Sequence, residues 1–182
     1  DLFQTKSKVL QLRMQELWRH SNKVAAICYV LARNDRRFNA DEAMLIGLLH
    51  DIGVAAIVNQ AAFYPDLAMD KRSMDHAIAN LRGAVGGSIL EMWNFRNEFV
   101  VAARESEEWM RNDREKPDYC DLVLVAQLHG LVGTEQALTL PALNEVPALK
   151  RLGLEELTPK QSLKILAAAE SLIEDTETLL KV

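Results

Sequence analysis

The sequence predicts an all-α protein, a bundle of about six to eight helices, on three observations. Apolar residues recur at helical spacing along nearly the whole chain, alternating strand-like runs are hard to find, and helix start signals recur before the periodic segments. At 182 residues the chain is long enough to bury a proper core, and residues 1–182 read as one domain.

The elements follow in order. In MQELWRHSNKVAAICYVLARND, the residues Leu17, His20, Ser21, Val24, Cys28, Leu31 and Ala32 fall on one face of a helix, so His20 points at the core. NADEAMLIGLLHDIG opens on Asn39 as N-cap with Glu42 three residues on, and Gly53 reads as the residue that ends this helix. Ala43, Ile46, Gly47, His50 and Val54 share its inner face. Tyr64-Pro65-Asp66 marks a loop. Helical spacing returns in SMDHAIANLRGAVGGSILEMWNF, RNEFVVAARESEEWM and YCDLVLVAQLHGLVG. Glycines 83, 86 and 87 each cost about 1 kcal/mol of helix propensity against alanine, which points to close approach of another backbone. A proline-containing link, LPALNEVPALKRLGLEEL, then leads to a last helix that starts at Thr158-Pro159. Its Leu163, Ile165, Leu166, Leu172, Ile173, Leu179 and Leu180 would cover the bundle or form a dimer surface. There is no internal repeat and no low-complexity segment.

Composition excludes several function classes. The net charge of −5 divides into +1 over residues 1–91 and −6 over 92–182, which argues against a nucleic-acid binder. Arg33, Arg36 and Arg37 read as the solvated, dipole-complementing end of a helix. No stretch approaches the roughly 18 apolar residues of a membrane span, and no secretory leader pattern is present. Cys28 and Cys120 lie in apolar helical patterns and suit reduced thiols in a cytoplasmic protein.

The residues that carry chemistry are few. His50 and Asp51 sit side by side in an apolar run, and burying either is costly without a partner. With His20 they could supply two imidazoles and a carboxylate to Mn, Fe, Zn or Mg, or stand as hydrogen-bonded core residues. Arg82 shares a helix face with Gly86, Ile89 and Trp93. Its guanidinium could pair with Asp51 in place of a metal. Alternatively it snorkels to water while Asp51 accepts backbone amides. His76 reads as a surface residue and His129 as a core histidine or a late ligand. Trp18 and Trp93 read as packing anchors.

LWRHS at 17–21 and GLLHDIG at 47–53 resemble the HDOD domain, a signalling-associated relative of the HD phosphohydrolases. RGAVGGSILEMWNF, EFVVAARES and RLGLEELTPKQSLKIL resemble later segments of that family in order, so the likeness runs from about residue 15 to 170. It implies an HD-like bundle whose N-terminal helical half is not represented, since sixteen residues precede LWRHS. It also implies metal-ligand positions at His20, His50 and Asp51. Further ligand positions are altered: Arg82 stands where a histidine would, and Ser106-Glu107 where a histidine pair would. Near the late aspartate position are Gln127 and His129. The expected function is a non-catalytic, cytoplasmic bacterial signal-transduction output domain with a vestigial metal site, acting on a protein partner or small signalling ligand. No cofactor is expected in that case. The alternative is a metal-dependent phosphohydrolase acting on nucleotides or cyclic dinucleotides.

Overall fold

In the computed structural model, which describes residues 8–131, 134, 138–156 and 159–180, the periodic segments become helices. They are α1 (Lys8–Arg33), α2 (Ala40–Leu49), α3 (Ile52–Ala61), α4 (Pro65–Met69), α5 (Lys71–Met92), α6 (Asn97–Glu105), α7 (Tyr119–Leu131), α8 (Pro147–Leu152) and α9 (Pro159–Leu180). Among the described residues there is no strand, so the all-α expectation holds. No described helix is long and apolar enough to cross a membrane.

Helix α7 is the axis. Every residue from Cys120 to His129 is buried, which marks a helix covered on all sides rather than an amphipathic one. Around it α1, α2, α6, α8 and α9 contribute the larger apolar cluster, including Val24, Ile27, Ile46, Leu124 and Leu149. A smaller cluster of Leu10, Met14, Val54, Val58 and Met74 joins the first half of α1 to α3, α4 and α5. On α9, Ile165, Leu166, Leu172 and Ile173 pack on the larger cluster, whereas Leu163 is exposed. Thr158 and the side chains of Leu179 and Leu180 lie outside the described residues.

The Asn39 cap forms as its sequence implies: the side chain accepts from the Glu42 amide at 3.0 Å. Three other expectations are corrected. Tyr64-Pro65-Asp66 opens the short helix α4, with Pro65 in the first turn where its missing N–H leaves no bond unmade. Trp18 and Trp93 do not anchor the core, since each exposes about half its surface (52% and 50%). Gly53 does not end a helix. It lies in the first turn of α3, and a Cβ there would stand 2.0 Å from the Arg82 carbonyl oxygen and 2.7 Å from the Gly86 nitrogen. Gly83 meets the Arg104 backbone in the same manner, at 2.6 Å from its carbonyl oxygen. These contacts draw α3, α5 and α6 to backbone distance and set Arg82 above the α2–α3 junction.

Candidate functional site

The site begins where the α2–α3 run breaks. Asp51 leaves helical geometry (φ −107°, ψ 20°) and its carboxylate caps no helix amide, so both oxygens are free for other partners. His50, 2% exposed, donates Nδ1–H to the Gly47 carbonyl at 2.7 Å. A carbonyl only accepts, so the neutral ring keeps a bare Nε2 facing the site. His20 arrives from α1 with its Nε2 3.3 Å away. Its N–H is therefore the donor of that bond. Asp51 Oδ2 lies 3.5 Å from His50 Nε2 and 3.7 Å from His20 Nε2.

This triangle fits one metal ion. Ligands about 2.1 Å from a tetrahedral ion stand about 3.4 Å from one another, close to the three separations seen here. His20, His50 and Asp51 would hold the ion through these atoms, which all lie within 4.8 Å of one another. Such an ion would acidify a coordinated water. The Nδ1–H bond of His50 to a carbonyl is also the support that orients metal-binding imidazoles.

Arg82 reaches the same carboxylate from the other side. Its Nη2 donates to Asp51 Oδ1, and its Nη1 donates to Glu107 Oε1 at 2.5 Å. The outward-snorkelling arrangement with Asp51 on backbone amides is therefore not the one adopted. The Arg82 side chain is only 15% exposed, and that of Asp51 6%. Gln127, on α7, donates its amide to the Ser106 carbonyl at 2.6 Å. His129 is separate: fully buried, it donates Nδ1–H to Val125 at 3.0 Å. His76 is exposed, as its sequence context implies.

Burial and the neighbouring His50 push the His20 pKa down from 6.5 to about 4, with Asp51 opposing. The Asp51 carboxyl is held below the usual carboxylate range: burial works to raise it, and His50, Arg82 and His20 together overcome that. The unfolded chain thus takes up the His20 proton first as the pH falls. Stability present above pH 6.5 is lost progressively towards pH 4, by about 2 kcal/mol for this partly solvated ring. His129, lowered by burial, adds to the same trend. Urea midpoints measured from pH 7 to 4.5 should fall, and His20→Gln should flatten part of that slope. An unchanged slope in the variant would show that His20 does not carry it.

The sequence matches the HDOD domain over residues 1–109, which takes in α1 to α6 with His20, His50, Asp51, Arg82 and Glu107. The chain belongs to the HDOD domain family. No curated protein matches this HDOD chain. Among solved structures it is similar to a protein of Shewanella amazonensis SB2B, described as a candidate metal-dependent phosphohydrolase, at 19% identity and a TM-score of 0.69. The likeness covers 92% of this chain and 64% of that one, and establishes a common fold.

Two features of the site had no clear sequence signal. Gln127 is buried in an apolar run whose spacing does not say that its amide turns to the Ser106 carbonyl. The cleft that opens onto Asp51 and Arg82 is formed by three helices remote in sequence.

Proposed function

We propose that this HDOD chain is a non-catalytic, cytoplasmic signal-transduction module that works by binding a protein partner or small ligand, with a degenerate form of the HD metal site. The observation that carries the reading is the Asp51–Arg82–Glu107 bridge. Arg82 and Glu107 stand at positions where the family resemblance implies further metal ligands, and they pair with each other instead. The guanidinium supplies a fixed positive charge beside Asp51, which weakens the attraction of that carboxylate for a divalent ion. Two-metal activation of a phosphoester needs ligands on both sides of a shared gap, and here one side is an ion pair.

The near-tetrahedral His20–His50–Asp51 triangle favours a second reading, a single-ion phosphohydrolase. Elemental analysis separates the two. Protein purified without chelators, incubated with Mn, Fe or Zn and desalted, should retain well under one ion per chain and release no phosphate from phosphoesters. Near-stoichiometric metal together with hydrolysis, both lost in His50→Ala, would overturn the module reading.

A further inference from the structure

Helix α5 ends in a fixed turn. Asn94 takes the left-handed conformation (φ 57°), and the Phe95 amide reaches back to the Leu90 carbonyl at 2.9 Å. The turn sets three rings in a row: Trp93 lies 6.4 Å from Phe95, and Phe95 lies 5.0 Å from Phe99 at the start of α6. Between this row and the first two turns of α2 is an open groove of about 530 Å³. Leu45, Trp93 and Phe95 supply its apolar surface, and the helices around it leave Leu45 40% exposed and Trp93 50%.

The charges at the rim are uneven in their engagement. Glu42 pairs with Arg96 and accepts from the Tyr119 hydroxyl at 2.8 Å. Arg96, the one cation among the described lining residues, is thereby matched. Asp41 at the rim, and Glu98 in the first turn of α6, are exposed and stand in none of the described ion pairs. Unmatched acid beside exposed aromatic surface complements a cation carried on an apolar stem, because a ring face attracts the charge and the carboxylate meets it. The net charge of −5 favours a basic partner and disfavours nucleic acid and anionic lipid. Being open rather than enclosed, the groove suits a chain segment better than a small ligand.

We propose that this groove docks a basic segment of a protein partner, in which a bulky apolar side chain enters against Leu45 and Phe95 and a neighbouring lysine or arginine crosses Trp93 to meet Asp41. Such a segment would serve the protein-binding form of the module, on which this assignment rests. The α5–α6 turn is held by its own backbone bonds, so the rings stand ready before the partner arrives and little ordering cost falls on binding.

Selection of random dodecapeptides displayed on phage against the full chain tests it. Enriched peptides should place a bulky apolar residue beside lysine or arginine, and the best of them, made synthetically, should bind with a dissociation constant below about 100 μM by fluorescence anisotropy. Trp93→Ser and Asp41→Lys should each weaken that peptide about tenfold or more, while their urea midpoints stay close to that of the parent because both side chains are exposed. Glutamate in place of the peptide's basic residue should weaken binding to the parent and recover it on Asp41→Lys. Phe63→Ser, at an exposed aromatic outside the groove, should bind the peptide as the parent does. Failure to enrich any peptide, enrichment of acidic ones, or binding indifferent to Trp93→Ser and Asp41→Lys would overturn the groove assignment and leave the module reading standing. Phosphoester hydrolysis would instead overturn the module reading and leave the groove to be judged by its peptides.

Discussion

Gly53→Ala should destabilise the protein by about 3 kcal/mol or more, at the upper end of the overpacking range. The new methyl would lie 2.0 Å from the carbonyl oxygen of Arg82 and 2.7 Å from the nitrogen of Gly86, both backbone atoms of a long helix. Neither can rotate aside, so α3 and α5 must separate. That separation acts directly on the site, because Asp51 begins α3 and Arg82 leaves α5 at the same level. Gly130→Ala is the natural control. A Cβ there meets nothing closer than 3.7 Å, and replacing a helical glycine by alanine gains about 0.5–1 kcal/mol. Urea unfolding followed by circular dichroism should move the two midpoints in opposite directions. A Gly53→Ala loss under about 1 kcal/mol would show that α3 and α5 pack less closely than described.

The contrast between Gly53 and Gly86 shows how far the sequence could be read. Glycines inside a helical pattern cost propensity, so Gly83, Gly86 and Gly87 announced a close contact without naming its partner. Gly53 follows a histidine and an aspartate that interrupt an apolar stretch, where a helix-terminating glycine is the commoner arrangement. Tertiary packing overrode that preference. The inward faces of α1 and α2 were legible because periodicity reports which side of a helix meets the core, and it placed His20 and His50 on those sides. It does not report which residues of different helices meet. Periodicity therefore could not establish the pairing of Arg82 with Asp51 over its alternative until α5 was placed over α3. The ion network around Asp121 lay further out of reach, since its members are separated by up to 40 residues and share no pattern.

Asp121→Ala should cost about 3–5 kcal/mol, because it leaves buried arginine charge without its partner. The carboxylate is fully buried near the start of α7. Arg151 holds it with two donors, Nη2 to Oδ1 at 2.6 Å and Nε to Oδ2 at 3.0 Å, and Arg111 Nη1 adds a third at 3.3 Å. Asp121 also accepts from the Asp118 amide at 3.1 Å while its own amide donates to Asp118 at 3.0 Å, which fixes the first turn of α7. Arg111 retains Asp118 and Glu105 in the variant, whereas Arg151 loses its only carboxylate partner among the described ion pairs. Most of the cost should therefore come from Arg151. A double-mutant cycle with Arg151→Ala should show the two losses to be less than additive by about 1–3 kcal/mol. Additive losses, or a single-variant cost under about 1 kcal/mol, would show that the pair is not coupled as its geometry implies. The consequence reaches the site through α7 itself. Gln127 lies six residues beyond Asp121, about 9 Å along the helix, and ties α7 to the Ser106 carbonyl at the end of α6. A variant that frees the start of α7 should thus also loosen the Ser106–Glu107 turn that Arg82 holds beside Asp51, although Asp121 has no bond to the His-Asp triangle.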